Sequence, residues 1–107
     1  MGESWDADRR TLDEFVNELR ELGVFKEVQE ICSKHGVVRV PALRSSSRLK
    51  HIARARHEAM LFIWRRFKWS YPAVGRLFGR DHTTVMAACR KAEALEVDHP
   101  AEEKETT

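Results

Sequence analysis

No stretch of the sequence approaches the ~18–20 consecutive apolar residues that a membrane-spanning helix needs. The start, MGESWDADRR, is acidic and has no apolar core, so a secretory signal is not expected. Cysteine is scarce: Cys32 and Cys89 lie far apart, each inside an apolar helical pattern. Such thiols are expected to be free and buried, in a reducing compartment. The histidines show no ligand spacing, and His57-Glu58 lacks the second histidine of a zinc-binding HExxH helix, so no metal site is expected. No phosphate-cradling loop of the GxxxxGKS or GxxxxGKT type occurs, and no cofactor is expected. Asp81 and His82 stand together without a nucleophile beside them, which gives no catalytic residues and no reading as an enzyme.

Acidic residues are missing from the middle of the chain. Residues 41–91 hold twelve Lys and Arg against two acids, Glu58 and Asp81, a balance of +10. Residues 1–40 hold six against nine, and residues 92–107 one against six, balances of −3 and −5. The net charge of +2 therefore hides a basic block between acidic flanks. Such a block argues for a polyanionic partner when it borders an element able to read one. The 107 residues leave room for one domain with a single modest core.

The apolar periodicity is helical throughout, and the expected fold is all-α, a small helical bundle. Thr11-Leu12-Asp13-Glu14 fits a capping box. Leu12, Phe15, Val16, Leu19 and Leu22 then recur at helical spacing until Gly23, predicting an amphipathic helix over about 11–22 within an acidic segment, 1–24. Its stripe either packs on the rest of the domain or serves as a partner or dimer face made by Leu12, Phe15, Val16 and Leu19. Phe25, Val28, Ile31 and Cys32 mark a second helix ending at His35-Gly36, and Pro41 opens a single turn through Leu43. After the Ser- and Arg-rich stretch RSSSR (44–48), a helix begins near Leu49 and continues into AMLFIWRRF (59–67), apolar nearly all round and so central. Trp64 and Phe67 are read as core rather than as a base-stacking platform.

SYPAVGRLFG (70–79) has Ser70 as cap, Pro72 in the first turn, and Val74, Leu77 and Phe78 facing inward. Gly75 in so short a helix costs about 1 kcal/mol relative to Ala and implies the close approach of another backbone. A turn at Gly79-Arg80 leads into a helix from Asp81 to about Leu95, with Val85, Ala88, Cys89, Ala92 and Leu95 inward. A short helix, a Gly-containing turn and a longer helix form a helix-turn-helix pattern. Asp81 caps the second helix, while His82, Thr83 and, one turn on, Met86 face away from its inward stripe. In a helix-turn-helix that outward first turn enters the major groove. The residue types are suited to reading base edges. A carboxylate accepts from cytosine N4, and threonine offers a methyl to thymine or a hydroxyl to phosphate. The basic block offsets the repulsion between Asp81 and the phosphates. The polar tail, 98–107, is expected to be disordered.

GRLFGRDHTTVMAACRK (75–91) resembles the signature of the C-terminal DNA-binding domain of DnaA, the bacterial chromosomal replication initiator. The similarity runs back through SYPAVG, ARARHEAM and RSSSR, giving an initiator-like domain over 25–97. The resemblance implies binding, one copy per site, to a short asymmetric AT-rich box of the TTATNCACA type in double-stranded DNA. It implies base contacts by Asp81, His82 and Thr83 in the major groove, by Pro72 beside them, and by Arg48 in the adjacent minor groove, which is narrow when AT-rich. Thr84, Arg56 and His57 match positions that hold the DNA backbone, and charge alone adds Lys50, Arg54 and Arg76. The sequence departs from the family at the turn, where Gly79 replaces two glycines, and in the SSSR loop, where the family is more basic. Trp64 and Ala87 stand where family members often carry a polar backbone contact. The initiator's ATPase module has no counterpart in these residues, so the expectation is the binding domain alone.

The sequence therefore predicts a cytoplasmic, nucleoid-associated DNA-binding protein that occupies DnaA-box-like sites and regulates replication initiation or transcription. The alternative is an adaptor that keeps the fold and binds the initiator or another replication component through its N-terminal helix. RNA is disfavoured, because an A-form major groove is too narrow for a helix.

Overall fold

The computed structural model describes residues 13–45 and 47–98, with the side chains of Val97 and Asp98 left aside. Thr11, Leu12 and the tail beyond Asp98 lie outside the described residues, and with them the capping box and the disordered-tail expectation. Helix α1 covers 13–22, followed by α2 (Phe25–Lys34), a 3₁₀ turn (Val40–Arg44), α3 (Lys50–Phe67), α4 (Tyr71–Phe78) and α5 (His82–Asp98). There is no strand among the described residues. The fold is the all-α helical bundle with a helix-turn-helix that the periodicity predicts.

Helix α3 is the axis of the bundle. It packs against α2, α4, α5 and the 3₁₀ turn, most extensively against α5. Its inward face is Ala55, Arg56, Ala59, Met60, Leu61 and Ile63, and Lys68 ends it in a left-handed conformation at φ 57°. The aromatic residues near its end are half-buried rather than central. Trp64 stacks on Tyr71 at 5.2 Å and 8°, and Phe67 on Trp69 at 5.4 Å. Each lays one face on the bundle, which is why the apolar run of 59–67 does not need to be enclosed on every side.

Helix α1 closes the core from the other side. Phe15 is 1% and Leu19 0% exposed, and the Phe15 ring meets that of Phe78 at 5.3 Å. Val16 and Leu22 pack half-buried beside them. Phe15 and Leu19, read as part of a possible partner or dimer face, are thus buried in the domain's own core, with Val16 half-buried at its edge. The physical reason is that the α1 stripe meets Phe78, and taking both rings out of water favours the packing. Gly23, at φ 78°, ends α1 and lets the Val24 amide bond to the Leu19 carbonyl at 3.0 Å.

The two helices of the helix-turn-helix meet at Gly75. A Cβ there would lie 2.3 Å from the Arg80 carbonyl oxygen, and the Arg80 amide donates to the Gly75 carbonyl at 2.8 Å. This is the backbone approach that the glycine implies. Replacing Gly75 with Ala gains about 1 kcal/mol of helix propensity, but the contact is with backbone and cannot be relieved by a rotamer. We expect a net loss of about 1–3 kcal/mol, checked by thermal unfolding. A variant at least as stable as the parent would contradict this packing.

Cys32 and Cys89 are both buried and unpaired, and burial pushes each thiol up to about 11. Leu95 differs from its expected inward position and is 40% exposed. Helix α5 has run past the core at Ala92, and Leu95 forms the rim of a cleft with Lys34, His35, Arg54, Glu58 and Glu96.

Candidate nucleic-acid interface

The front of α5 is built by its cap. The Asp81 carboxylate Oδ1 accepts the Thr84 amide at 3.0 Å and the Thr83 hydroxyl at 2.7 Å. These two bonds, the amide first, hold the Asp81 carboxyl below its ordinary range, so it is ionised at neutral pH. The Thr83 hydroxyl proton is spent on the cap. Asp81, His82, Thr83 and Thr84 are all exposed, so the capping role leaves this first turn open to a partner. Met86, one turn on, is half-buried.

Ahead of α3, the serine-rich loop is ordered by its own hydroxyls. Ser45 Oγ donates to the Ala42 carbonyl at 2.6 Å and accepts the Ser47 amide at 3.3 Å, and Ser47 Oγ accepts the Leu49 amide at 3.3 Å. These bonds carry the chain into α3 with Arg48 and Lys50 exposed. Lys50, Arg54 and His57 then follow at i, i+4 and i+7, one stripe of α3. His57 is half-buried, and burial, then the charges of Lys91 and Arg56, lower its pKa. A contact from His57 to phosphate at neutral pH is accordingly a hydrogen bond from a neutral ring. Pro72 and Arg76 are exposed on one face of α4, with Arg76 in a cleft beside Glu18 and Trp69.

Arg56 departs from its expected place among the outward backbone contacts. It is 7% exposed, with Nε donating to the Leu43 carbonyl at 2.6 Å and Nη2 to the Ser45 and Ser47 carbonyls at 3.1 and 3.0 Å. Burial, then the charge of Arg80, lowers its pKa to about 10, so it remains a cation. Its donors serve three carbonyls of the turn and loop, and it holds the loop rather than reaching outward.

Sequence reasoning also missed Arg80 and Arg44. Arg80 Nη2 donates to the Ser45 carbonyl at 2.6 Å and Nη1 to the Phe78 carbonyl at 3.1 Å, joining the helix-turn-helix turn to the loop that carries Arg48. Arg44 Nε donates to the Leu77 carbonyl at 3.1 Å, and its guanidinium lies where a Cβ on Gly79 would be. No local signal in the sequence marks these roles: Arg80 stands beside Asp81, yet its partner is a loop carbonyl 35 positions away.

Three acids of the described residues are held in ion pairs with other partners. Glu58 pairs with Lys34 and His35, and Glu93 and Glu96 with Arg65. Burial raises the Glu58 carboxyl, and the hydrogen bonds from Lys34 and His35 more than reverse it. No described carboxylate stands within ion-pair distance of Arg48, Lys50, Arg54, Arg76 or Lys91. The helix start with its ionised cap and the cations Arg48, Lys50, Arg54 and Arg76 of the loop, α3 and α4 are thus all exposed.

Comparison with known proteins fits this geometry. A family model described as the bacterial dnaA protein helix-turn-helix matches residues 25–92. Among curated proteins, the chain is similar to three named chromosomal replication initiator protein DnaA. That of Caulobacter sp. (strain K31) is 41% identical over 75 residues, 69% of this chain and 15% of the relative. That of Psychromonas ingrahamii is 38% identical over 69 residues, 64% of this chain and 15% of the relative. That of Pelobacter propionicus is 30% identical over 96 residues, 89% of this chain and 21% of the relative. The chain thus spans between 15% and 21% of the length of these relatives. No solved structure matches it significantly.

Proposed function

The chain belongs to the bacterial DnaA helix-turn-helix family, and from that premise we propose that it binds double-stranded DNA at asymmetric, AT-rich boxes of the initiator type. In this reading the start of α5 enters the major groove. Asp81 accepts from a cytosine amine, Thr83 presents its methyl to a thymine methyl because its hydroxyl is committed to Asp81, and His82 contacts the neighbouring base edges. Thr84, Lys50, Arg54, Arg76 and His57 hold phosphates on either side, and Pro72 touches the duplex beside them. Arg48 enters the adjacent minor groove. Occupying such boxes would regulate replication initiation or transcription, by competing for sites with a full-length initiator.

The observation that carries this reading is the linkage between the two reading elements: the Arg80 guanidinium bonds the turn before α5 to the loop before α3. A basic patch that merely attracted polyanions would have no need of that linkage.

The test is fluorescence anisotropy with a labelled duplex carrying TTATCCACA against a scrambled duplex of equal composition. A preference of about tenfold or more, equivalent to about 1.4 kcal/mol, is expected for the box and is expected to vanish in His82→Ala. Equal binding to both duplexes would leave a basic surface without box recognition and end the proposal.

A further inference from the structure

We propose that Arg80 is a positioning residue for minor-groove reading: through the Ser45 carbonyl it fixes the loop bearing Arg48 to the turn that sets α5. The inference rests on the DNA-binding reading above and assigns a role that neither base nor phosphate contact gives. Two guanidinium groups converge on one carbonyl oxygen, Arg80 Nη2 at 2.6 Å and Arg56 Nη2 at 3.1 Å, both on Ser45. From that shared point each arginine reaches to a different element. Arg80 goes on to the Phe78 carbonyl at the end of α4. Arg56, rooted in the centre of α3, goes on to Leu43 and Ser47 on either side of the loop. Arg44 adds a third tie, from the end of the 3₁₀ turn to the Leu77 carbonyl.

The loop lies between a 3₁₀ turn and α3, and among the described residues its other side-chain bonds are local ones of Ser45 and Ser47 and a long one from Arg80 Nη1 to the Arg44 carbonyl at 3.5 Å. Gathering three like charges works against the free protein: burial and the neighbouring Arg44 charge lower the Arg80 pKa, and burial and Arg80 lower that of Arg56. No described carboxylate pairs with any of the three. A duplex lying across the turn and the loop brings phosphates toward this cluster and relieves that repulsion. The arrangement is therefore suited to the bound state, in which Arg48 must sit at one fixed distance from His82. Arginine is required because its planar fork serves two carbonyls at once, which a lysine ammonium on a flexible stem does not reproduce.

The experiment is a double-mutant cycle on box preference, measured with the labelled TTATCCACA and scrambled duplexes, using Arg48→Ala, Arg80→Ala, Arg80→Lys and the Arg48→Ala/Arg80→Ala pair. If Arg80 acts through Arg48, each single substitution lowers the preference by a similar factor, about threefold, and the pair lowers it no further, whereas independent contacts would multiply to about tenfold. Arg80→Lys keeps the charge and the aliphatic stem, and is expected to behave as Arg80→Ala does. It also carries the test if Arg80→Ala does not fold. Multiplied losses in the pair, or a Lys variant that keeps the parent preference, would overturn the inference while leaving box recognition intact. A parent protein without box preference would instead remove the reading on which the inference rests, and the inference with it.

Discussion

Truncating Phe15 to alanine is expected to cost about 3–5 kcal/mol of folding stability, a large part of the roughly 5–15 kcal/mol that holds a small domain together. The side chain is 1% exposed, and its ring packs at 5.3 Å against Phe78, itself fully buried at the end of α4. The loss combines the transfer of an aromatic ring to water with a cavity at the joint between α1 and the helix-turn-helix. That cavity cannot easily close, because the ring's partner is held on the other side by the α4–α5 turn. Denaturant unfolding followed by circular dichroism measures it directly. Glu14→Ala, exposed one residue earlier on the same helix, should stay within about 0.5 kcal/mol of the parent. The pair distinguishes a core helix from a docking helix. A Phe15→Ala protein of parental stability that had lost only a protein partner would restore the adaptor reading and contradict the packing of α1.

The amphipathic period of α1 was plain in the sequence, but its destination was not. A stripe of Phe15, Val16, Leu19 and Leu22 looks the same whether it covers its own domain or another, since periodicity reports that a face is apolar and not what covers it. The helix-turn-helix was far more legible, because several local signals agree there. Ser70 caps α4 through the Ala73 amide, Gly79 takes φ 71°, Asp81 caps α5, and Gly75 yields to the Arg80 carbonyl. Each of these is a short-range requirement on one residue type. The arginines were legible only as charge. Nothing in RSSSR or ARARHEAM separates Arg48, exposed and outward, from Arg56, buried and bonded to the Leu43, Ser45 and Ser47 carbonyls. That distinction depends on where the loop before α3 passes, a tertiary fact. Arg80 was passed over for the same reason: its neighbours are the loop at Ser45, 35 positions away in sequence. Leu95 erred in the opposite direction, since its spacing was right but the helix it sits on outruns the core.

The second large effect concerns salt. Taking away Arg56 and Arg80, whose donors serve carbonyls, and His57, which is neutral when half-buried, leaves Arg48, Lys50, Arg54 and Arg76 as the exposed cations of the proposed interface. Arg54 and Arg76 share clefts with Glu58 and Glu18, so their charge is partly offset in the free protein. With about four to six phosphates neutralised, log K should fall against log salt with a slope near −4 to −5, a loss of roughly 250- to 1,000-fold between about 50 and 200 mM. Anisotropy titrations across that range give the slope. Variants then separate attraction from reading. Lys50→Ala should reduce the slope by about one while leaving the ratio of box to scrambled affinity unchanged, whereas His82→Ala should leave the slope and remove the ratio. The two measurements are independent because counterion release depends on how many phosphates are neutralised, and preference on which bases are met. A slope shallower than about −2 would mean that the cations of α3 and α4 are only a solvated face, with the acidic flanks of the chain setting its behaviour. A steep slope that His82→Ala also flattens would mean that the whole interface forms only on the correct box, with the loop and α5 engaging as one unit.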